Sequence, residues 1–338
     1  MGNTQNQNSL KNFDEILNKI STRATKETLE NEKVEWLIDG LIAKNTINMF
    51  YGKAGVGKSH LLLAMVLYIS KCESIKKIYY LDSDNGKITI SDRGVGDIET
   101  SKIDYRYDFK APDKYSIFDM FLNETDSLDG ALICVDTIGN FTNFDIRDDS
   151  LVGSFMDKLM RLRDQKGASI IFLHHQPKQY DGENNKVYKG STRFEDSSNE
   201  SIFVGKAISL SGNEIKDKII FDLEPQKHRI ATKDIIRVIV DVKDNHSLEI
   251  SDDIYAGLNE KQTITMELQE EVLSANPQGI NQSKLGFEIK NLAKKYHYEI
   301  VGDNAMWNLF RKYQGYKYTI TKQPKANGGF EAIYQLKQ

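Results

Sequence analysis

The segment Gly52-Lys53-Ala54-Gly55-Val56-Gly57-Lys58-Ser59 matches the complete phosphate-binding pattern G-x-x-x-x-G-K-[ST]. Its glycines let consecutive backbone N–H groups turn inward around an anion, and the helix that follows adds the positive end of its dipole. In such a loop the lysine, here Lys58, reaches the β- and γ-phosphates, and the hydroxyl of Ser59 ligates Mg²⁺. His60 follows directly and extends the predicted nucleotide-binding segment. We therefore predict ATP and Mg²⁺ as ligands.

The residues on either side place this loop between a strand and a helix. A β-prone run precedes it at residues 46–51, and strong helix formers follow at residues 61–67. Continuous apolar runs recur at residues 77–81, 131–135 and 169–173, and each ends in polar side chains. Such runs are typical of strands buried on both faces of a parallel sheet, which binds ligands at its carboxyl edge. We therefore predict an α/β fold with a mainly parallel sheet.

Later in the chain the pattern changes. A polar, glycine-bearing segment at residues 176–198 has no apolar period, and we interpret it as a mobile loop. Strand-like runs then predict an antiparallel extension of the sheet, at residues 202–208, 218–223 and 234–242. The strand-like pattern ends near residues 252–259, where we place a domain boundary.

Beyond this boundary the chain predicts a small second domain. Three helical patterns are followed there by two alternating strands, at residues 262–274, 282–296, 304–313, 316–322 and 330–336. This is the element order of a winged helix-turn-helix. The predicted organisation is a polar N-terminal arm, an ATPase domain and a winged-helix domain, over residues 1–33, 34–255 and 260–338 respectively.

Composition and charge narrow the class of protein. The 338 residues carry a net charge of −4, yet the segment from residue 278 onward has ten basic and four acidic side chains. A basic end on an acidic body suggests a nucleic-acid partner, although lysines that only solubilise a surface give the same pattern. The two cysteines form no disulfide framework, and the longest apolar run is too short to cross a bilayer. We expect a soluble cytoplasmic protein with no membrane partner.

Carboxylates at two strand ends are the candidate catalytic groups. Asp136 ends an apolar strand downstream of the P-loop and is the expected Mg²⁺ carboxylate, although an Asp there can also cap a helix. No Glu follows it, so the group that orients the attacking water must come from elsewhere. Asp84 is the best-placed candidate and Asp82 the second, while a plain turn role fits either residue.

A histidine pair, His174 and His175, ends the fourth predicted strand. A histidine at this edge can hydrogen-bond the γ-phosphate and report its loss to the following loop, a role we assign to His175. A structural histidine is the alternative, and it fits His174 better. No third ligand lies at a recognised spacing, so the pair does not predict a metal site.

Taken in order, these motifs resemble RecA-like ATPases of the plasmid replicative helicase RepA type, whose relatives include the DnaB-like helicases and KaiC. The resemblance spans roughly residues 34–245. It rests on Trp36-Leu37-Ile38-Asp39-Gly40, the P-loop, the carboxylate after the second strand, Asp136-Thr137, His174-His175 and Lys189-Gly190-Ser191-Thr192. The resemblance implies a ring, usually a hexamer, with ATP bound between subunits.

The resemblance also implies roles for residues that would otherwise read as surface charges. Asp84 occupies the position of a catalytic Glu, and Lys189 that of an Arg in an R-G-S motif. Lys227 and Arg229 look like the K-x-R cations that reach the neighbour's γ-phosphate. The loop over residues 176–188 occupies the position of loops that point into the ring channel. It contains Lys178, Lys186 and Tyr188, and cations with an aromatic suit single-stranded nucleic acid such as DNA, although a mobile loop with incidental lysines gives the same pattern.

The predicted winged helix adds a contact to duplex DNA. Its third helix carries donors for base edges and its hairpin carries cations for phosphates: Asn304, Asn308, Arg311, Lys312, Lys317, Lys322 and Lys325. The leading interpretation is a ring-forming, DNA-dependent ATPase with a helicase or replication-initiation role. The alternatives are a regulatory ATPase in which nucleotide controls DNA binding without unwinding, and an assembly module whose winged helix binds protein.

Overall fold

The computed structural model describes residues 14–19, 21, 23–30, 33–98, 101–177, 186–206, 218–230, 236–251, 258–315, 317–324 and 328–337. The helices are, in chain order, α1 (14–19), α2 (Lys26–Leu29), α3 (Lys58–Ile69), α4 (Lys87–Asp92), α5 (Ile117–Glu124), α6 (Asp149–Asp164), α7 (Arg193–Ser197), α8 (Glu260–Ser274), α9 (Gln282–Tyr296) and α10 (Asp303–Lys312). The strands are β1 (Trp36–Ile38), β2 (Ile42–Ala43), β3 (Ile47–Gly52), β4 (Lys77–Asp82), β5 (Ile103–Arg106), β6 (Ala131–Asp136), β7 (Ser169–His175), β8 (Glu200–Lys206), β9 (Lys218–Lys227), β10 (Ile236–Asp241), β11 (Ser247–Ser251), β12 (Ile280–Asn281), β13 (Tyr318–Pro324) and β14 (Phe330–Leu336).

A nine-stranded sheet forms the centre of the molecule, in the order β11-β10-β9-β8-β3-β7-β6-β4-β5. The strands from β8 to β5 are parallel, and the prediction of an α/β fold with a mainly parallel sheet is confirmed. Every residue of β3 and β6 is buried, because α3 covers one face of the sheet while α5 and α6 cover the other. The carboxyl ends of β3, β4, β6 and β7 therefore meet along one edge.

The antiparallel extension begins one strand later than the sequence predicts. β8 pairs with β3 in parallel, and only β9, β10 and β11 alternate in direction. A parallel neighbour requires a crossover connection, and the chain between β7 and β8 supplies one that contains the helix α7. The predicted mobile loop over residues 176–198 is therefore wrong at its end, where residues 193–197 are helical. Residues 178–185 lie outside the described residues.

The chain from Leu258 to Lys337, here called the C-terminal unit, has its own core. Its helices α8, α9 and α10 pack on a sheet with the order β12-β14-β13. Asparagines start two of the helices: Asn259 forms a capping box with Gln262, and the side chain of Asn281 accepts from the backbone N–H of Lys284. The short strand β12 carries too few residues to show a period, so sequence patterning does not reveal it.

A buried arginine of the central sheet joins this sheet to the C-terminal unit. Arg237 on β10 is only 2% exposed and lies 2.7 Å from the carboxylate of Asp222 on β9. Its Nη1 also donates to the hydroxyl of Tyr313 over 2.8 Å, at the end of α10. Asp222 follows Phe221, whose ring packs against the P-loop. Strand β9 therefore touches the P-loop and, through Asp222 and Arg237, is linked to the C-terminal unit.

Candidate functional site

The phosphate-binding loop has the backbone conformation that its glycines allow. Gly55 and Gly57 have φ values of 75° and 104°, in the left-handed region that favours glycine. A Cβ built on Gly57 would lie 3.1 Å from the ring of Phe221, so the loop is also packed closely from behind. α3 begins at Lys58, so its first N–H groups face the same point as the loop.

Lys58 lies buried at the floor of this loop. Its Nζ donates to the carbonyl oxygens of Gly52 and Lys53, over 3.0 and 2.8 Å, and lies 3.5 Å from Nδ1 of His175. Burial lowers the pKa of Lys58 to about 8, against the opposing influence of the Asp136 and Asp84 charges. A further negative charge at this point, such as a phosphate, would favour the protonated lysine.

Asp136 presents one free oxygen to the same cleft. Its Oδ2 accepts from the hydroxyl of Tyr80 and the amide of Asn85, over 3.3 and 3.4 Å, whereas its buried Oδ1 has no partner. Burial, together with the neighbouring Asp82 charge, raises the pKa of Asp136 to about 6, and the Ser59 hydroxyl opposes this shift. An unpartnered buried carboxylate oxygen beside a hydroxyl is the hard-oxygen donor set that Mg²⁺ prefers. These residues fit Mg²⁺.

The two candidate carboxylates after β4 have different surroundings. Asp82 is fully buried, and it accepts from the backbone N–H groups of Asp84 and Asn85, the Asn85 amide and the hydroxyl of Tyr105. Asp84 is exposed and lines the cleft, where its Oδ1 accepts from Nδ2 of Asn140 over 3.1 Å. Asp82 thus holds the turn in place, and Asp84 is the carboxylate that faces the cleft.

These groups converge on one cleft of about 300 Å³ at the carboxyl edge of the sheet. It is lined by Gly55, Gly57, Lys58, Ser59, His60, Asp84, Asn85, Arg93, Asp136, Thr137 and His175. Sequence reasoning missed Asn85, Arg93 and Asn140, since they belong to no recognised motif. Arg93 follows α4; its Nη2 donates to Asn85 and its buried Nε has no partner, so it adds a second cation to this edge.

A larger cleft of about 810 Å³ adjoins the first at Arg93. Its walls are the outer side of α3, the segment after α4 and the β10–β11 turn, including Tyr68 and His246. Nδ1 of His60 lies 3.0 Å from Nε2 of His246, so His60 joins the P-loop helix to this turn. The two clefts together offer room for a phosphate chain and for an attached nucleoside.

The structure separates the two histidines at the end of β7. His174 is buried and its Nε2 donates to the Lys189 carbonyl over 2.6 Å; burial lowers its pKa to about 4, so it is neutral. His175 is half-buried and lines the cleft. Lys189 is exposed and does not line the cleft, but its backbone N–H donates to the carbonyl of His175. The chain that follows β7 is therefore tied directly to His175.

Lys227 and Arg229 lie away from their own nucleotide cleft. Lys227 pairs with Ser201, and Ser201 pairs with Met49, three residues before the loop begins at Gly52. At ~3.3 Å per residue this puts Lys227 about 10 Å behind the loop along the strands. Both side chains donate to carbonyls at the end of α7, Lys227 over 2.6 and 2.8 Å and Arg229 over 3.3 Å. The cleft of their own chain is out of their reach.

Residues predicted to contact DNA are partly engaged within the chain. Lys186 pairs with Glu224, and the hydroxyl of Tyr188 donates to Glu195 over 3.2 Å. In the C-terminal unit Lys317 pairs with Glu270 over 2.8 Å, while the other predicted contacts that are described and exposed are Asn304, Asn308, Arg311 and Lys322. Lys178 and Lys325 lie outside the described residues.

Two features are absent from the part of the chain that the structure describes. No helix there is long and apolar enough to cross a bilayer. No cluster of three or more His, Cys, Asp or Glu side chains there could hold a metal, and the fit to Mg²⁺ rests on Ser59 and Asp136 alone. Phosphate and water oxygens commonly complete the coordination of Mg²⁺ in nucleotide sites.

A family model and a solved structure are similar to parts of this chain. A family model described as an AAA domain matches residues 16–93, which include the P-loop and Asp84. No curated protein matches the chain. Among solved structures, the chain is similar to one described as the ATPase domain of G40P, at 12% identity and a TM-score of 0.49, over 70% of this chain and 97% of that one. A likeness this distant carries no argument about activity or assembly.

Proposed function

We propose that the chain is a RecA-like ATPase of the RepA type, which binds ATP with Mg²⁺ in the P-loop cleft and hydrolyses it. One observation carries the proposal: a glycine loop, a buried lysine, an unpartnered carboxylate oxygen and an exposed carboxylate meet in a single cleft. Such a cleft can bind the phosphates, neutralise their charge and activate a water molecule, and phosphoryl transfer to water requires all three.

Each group has a distinct role in this reaction. Loop N–H groups and Lys58 bind the β- and γ-phosphates, with Lys58 exchanging its bonds to Gly52 and Lys53 for phosphate oxygens. Ser59 and the free oxygen of Asp136 would hold Mg²⁺. When bound there, Mg²⁺ neutralises charge on the phosphate oxygens. Asp84 orients the attacking water and accepts its proton, and His175 contacts the γ-phosphate. The adjoining cleft accommodates the nucleoside.

The same proposal includes a shared site between copies. Lys227 and Arg229 lie about 10 Å or more behind their own loop, a position that supports action on a neighbour's γ-phosphate. Their bonds to carbonyls of α7 hold them in place. We extend this to a ring, with Lys189 and the loop after β7 facing a DNA strand in its channel.

For the C-terminal unit we propose a winged helix over residues 260–338 that contacts DNA, next to an ATPase domain over residues 34–255. Its three helices and its hairpin follow the order of that fold. Exposed Asn304, Asn308 and Arg311 on α10 support contact with base edges, and Lys322 on the hairpin supports contact with phosphates.

One experiment tests the proposal as a whole. ATP turnover of the full chain is measured with and without single-stranded DNA, and particle mass is measured in the same buffers. We expect Mg²⁺-dependent turnover that DNA accelerates, in particles larger than a single chain. Absence of turnover at saturating Mg²⁺–ATP would overturn the proposed reaction, and turnover by single chains would overturn the shared site.

A regulatory ATPase is the second candidate, favoured by the link between the P-loop and the C-terminal unit. Phe221 packs on Gly57, the next residue Asp222 pairs with Arg237, and Arg237 bonds to Tyr313 at the end of α10. A change in the loop can thus reach the helix predicted to contact DNA. Nucleotide-dependent binding to a duplex, with no strand displacement, would favour this candidate over a helicase.

A further inference from the structure

The outward face of α9 carries a pattern that neither the nucleotide cleft nor the predicted α10 contact uses. Leu285, Gly286, Ile289 and Ala293 face the core of the C-terminal unit. On the opposite side Lys284, Phe287, Asn291 and Lys294 recur at helical spacing, and all four are exposed. We call these four residues the α9 face.

An aromatic ring occupies the centre of the α9 face. Phe287 is 62% exposed, although it directly follows the buried position Gly286. It lies between two lysines, three residues after Lys284 and seven before Lys294. Exposed large apolar side chains are common singly, but a ring flanked by cations has the two components of a surface that stacks a base and holds phosphates.

The charge of the α9 face is also uncompensated. α9 contains four lysines and a single acidic residue, Glu288. Within the described residues neither Lys284 nor Lys294 forms an ion pair, while Lys290, on the flank, pairs with Asp303 over 2.7 Å. At ~1.5 Å per residue the two free lysines lie about 15 Å apart along the helix, the length of about four stacked nucleotides at ~3.4 Å each.

The neighbouring helix α10 carries less net positive charge. It begins with Asp303, and Arg311 is folded back so that Nη2 donates to Asn308 over 2.7 Å and Nε to the carbonyl of Trp307. Its far end leads into Tyr313, which bonds to Arg237 of the central sheet. A polyanion therefore meets more net positive charge on α9, with four lysines and one acidic residue, than on α10, with two cations and one acidic residue.

We infer that the α9 face binds single-stranded nucleic acid, with an unpaired base stacked on Phe287 and phosphates against Lys284 and Lys294. The inference rests on the proposed role of the chain as a DNA-binding ATPase. A duplex keeps its bases paired and stacked internally, so only an unpaired strand can use the exposed ring. The α9 face is thus a second DNA-binding surface, which prefers single strands, whereas the α10 contact is with duplex DNA.

The test measures binding of the full chain to a labelled oligothymidine of about twenty nucleotides, longer than one domain covers. Fluorescence anisotropy is followed across a series of salt concentrations. We expect Phe287→Ala to weaken binding about tenfold and Phe287→Trp to retain it. Lys284→Gln with Lys294→Gln should lower the magnitude of the slope of log K against log salt by about 1.4, since each phosphate contact on a single strand contributes about 0.7.

Matched controls separate this surface from general effects. Phe330→Ala removes another exposed ring of the C-terminal unit, and Lys261→Gln removes an exposed lysine of α8; both should bind like wild type. Phe287→Ala should reduce the affinity for a blunt-ended duplex less than it reduces the affinity for a single strand. ATP turnover without DNA should be unchanged in every variant.

The outcomes distinguish this inference from the proposal beneath it. Wild-type protein that hydrolyses ATP but binds no oligonucleotide would overturn the DNA-binding role and the α9 face with it. Binding that Phe287→Ala and the double lysine variant leave at the level of the controls would overturn the α9 face alone. A Phe287→Ala variant that changes particle mass without changing DNA affinity would also overturn it, and would identify the face as a contact between copies.

Discussion

Asn140 provides the sharpest test of how Asp84 is held. It lies in the 3₁₀ segment Ile138–Phe141 after β6, and its Nδ2 donates to Asp84 Oδ1 over 3.1 Å and to the carbonyl of Ser83 over 3.2 Å. Because Asp84 is exposed, this bond limits where its carboxylate can point. Asn140→Ala removes the donor on a half-buried side chain and leaves Asp84 in place.

The size of the effect follows from the bond. A hydrogen bond to a charged group is worth about 1.5–3 kcal/mol, and partial exposure of this pair favours the lower end. A loss of about 1.4 kcal/mol in the transition state corresponds to a tenfold fall in kcat. Nucleotide affinity should change little, because Lys58 and the loop are untouched.

The assay is a double-mutant cycle on steady-state ATP hydrolysis, with wild type, Asn140→Ala, Asp84→Asn and the double variant. We expect Asn140→Ala to lower kcat about tenfold. In the Asp84→Asn background the same change should cost nothing further in kcat, since the carboxylate that Asn140 positions is no longer there to activate water. Asn143→Ala, at an exposed residue two positions after that segment, is the control. Losses that multiply independently in the double variant would refute the idea that Asn140 acts through Asp84.

Three further expectations follow from the site. Lys58→Ala should abolish hydrolysis while thermal unfolding stays within a few degrees of wild type, and near-normal turnover would contradict the P-loop assignment. Arg229→Ala should bind nucleotide but hydrolyse slowly, and mixing it with Asp84→Asn should restore some activity; no recovery in proven mixed particles would argue against a shared site. Burial lowers the pKa of His174 from 6.5 to about 4. As pH falls from 6.5 to about 4, His174 is therefore protonated in the unfolded chain but stays neutral in the folded chain. The free energy of unfolding should therefore fall by up to about 1.4 kcal/mol per pH unit across that window, and urea titrations of His174→Gln should show a flatter dependence.

The sequence by itself determined the phosphate loop and the parallel strands around it. Both are local properties: the loop needs glycines at positions of positive φ, met at Gly55 and Gly57, and a strand buried on both faces needs an unbroken apolar run. The position of Asp136 at the carboxyl edge of the sheet could be predicted as well, because it follows one such run directly. These features depend only on residues that are adjacent in sequence, so a sequence pattern is enough to predict them.

Only the tertiary structure decided between Asp82 and Asp84, both of which follow β4. Backbone N–H groups and a tyrosine from β5 surround Asp82, and that strand is too short and too exposed for its pattern to reveal it. The parallel pairing of β8 likewise depended on a crossover through α7. Arg93 and Asn140 reach the cleft because separate segments meet at one edge of the sheet. Contacts between segments far apart in sequence depend on how the sheet is ordered, and no single stretch of residues encodes that order.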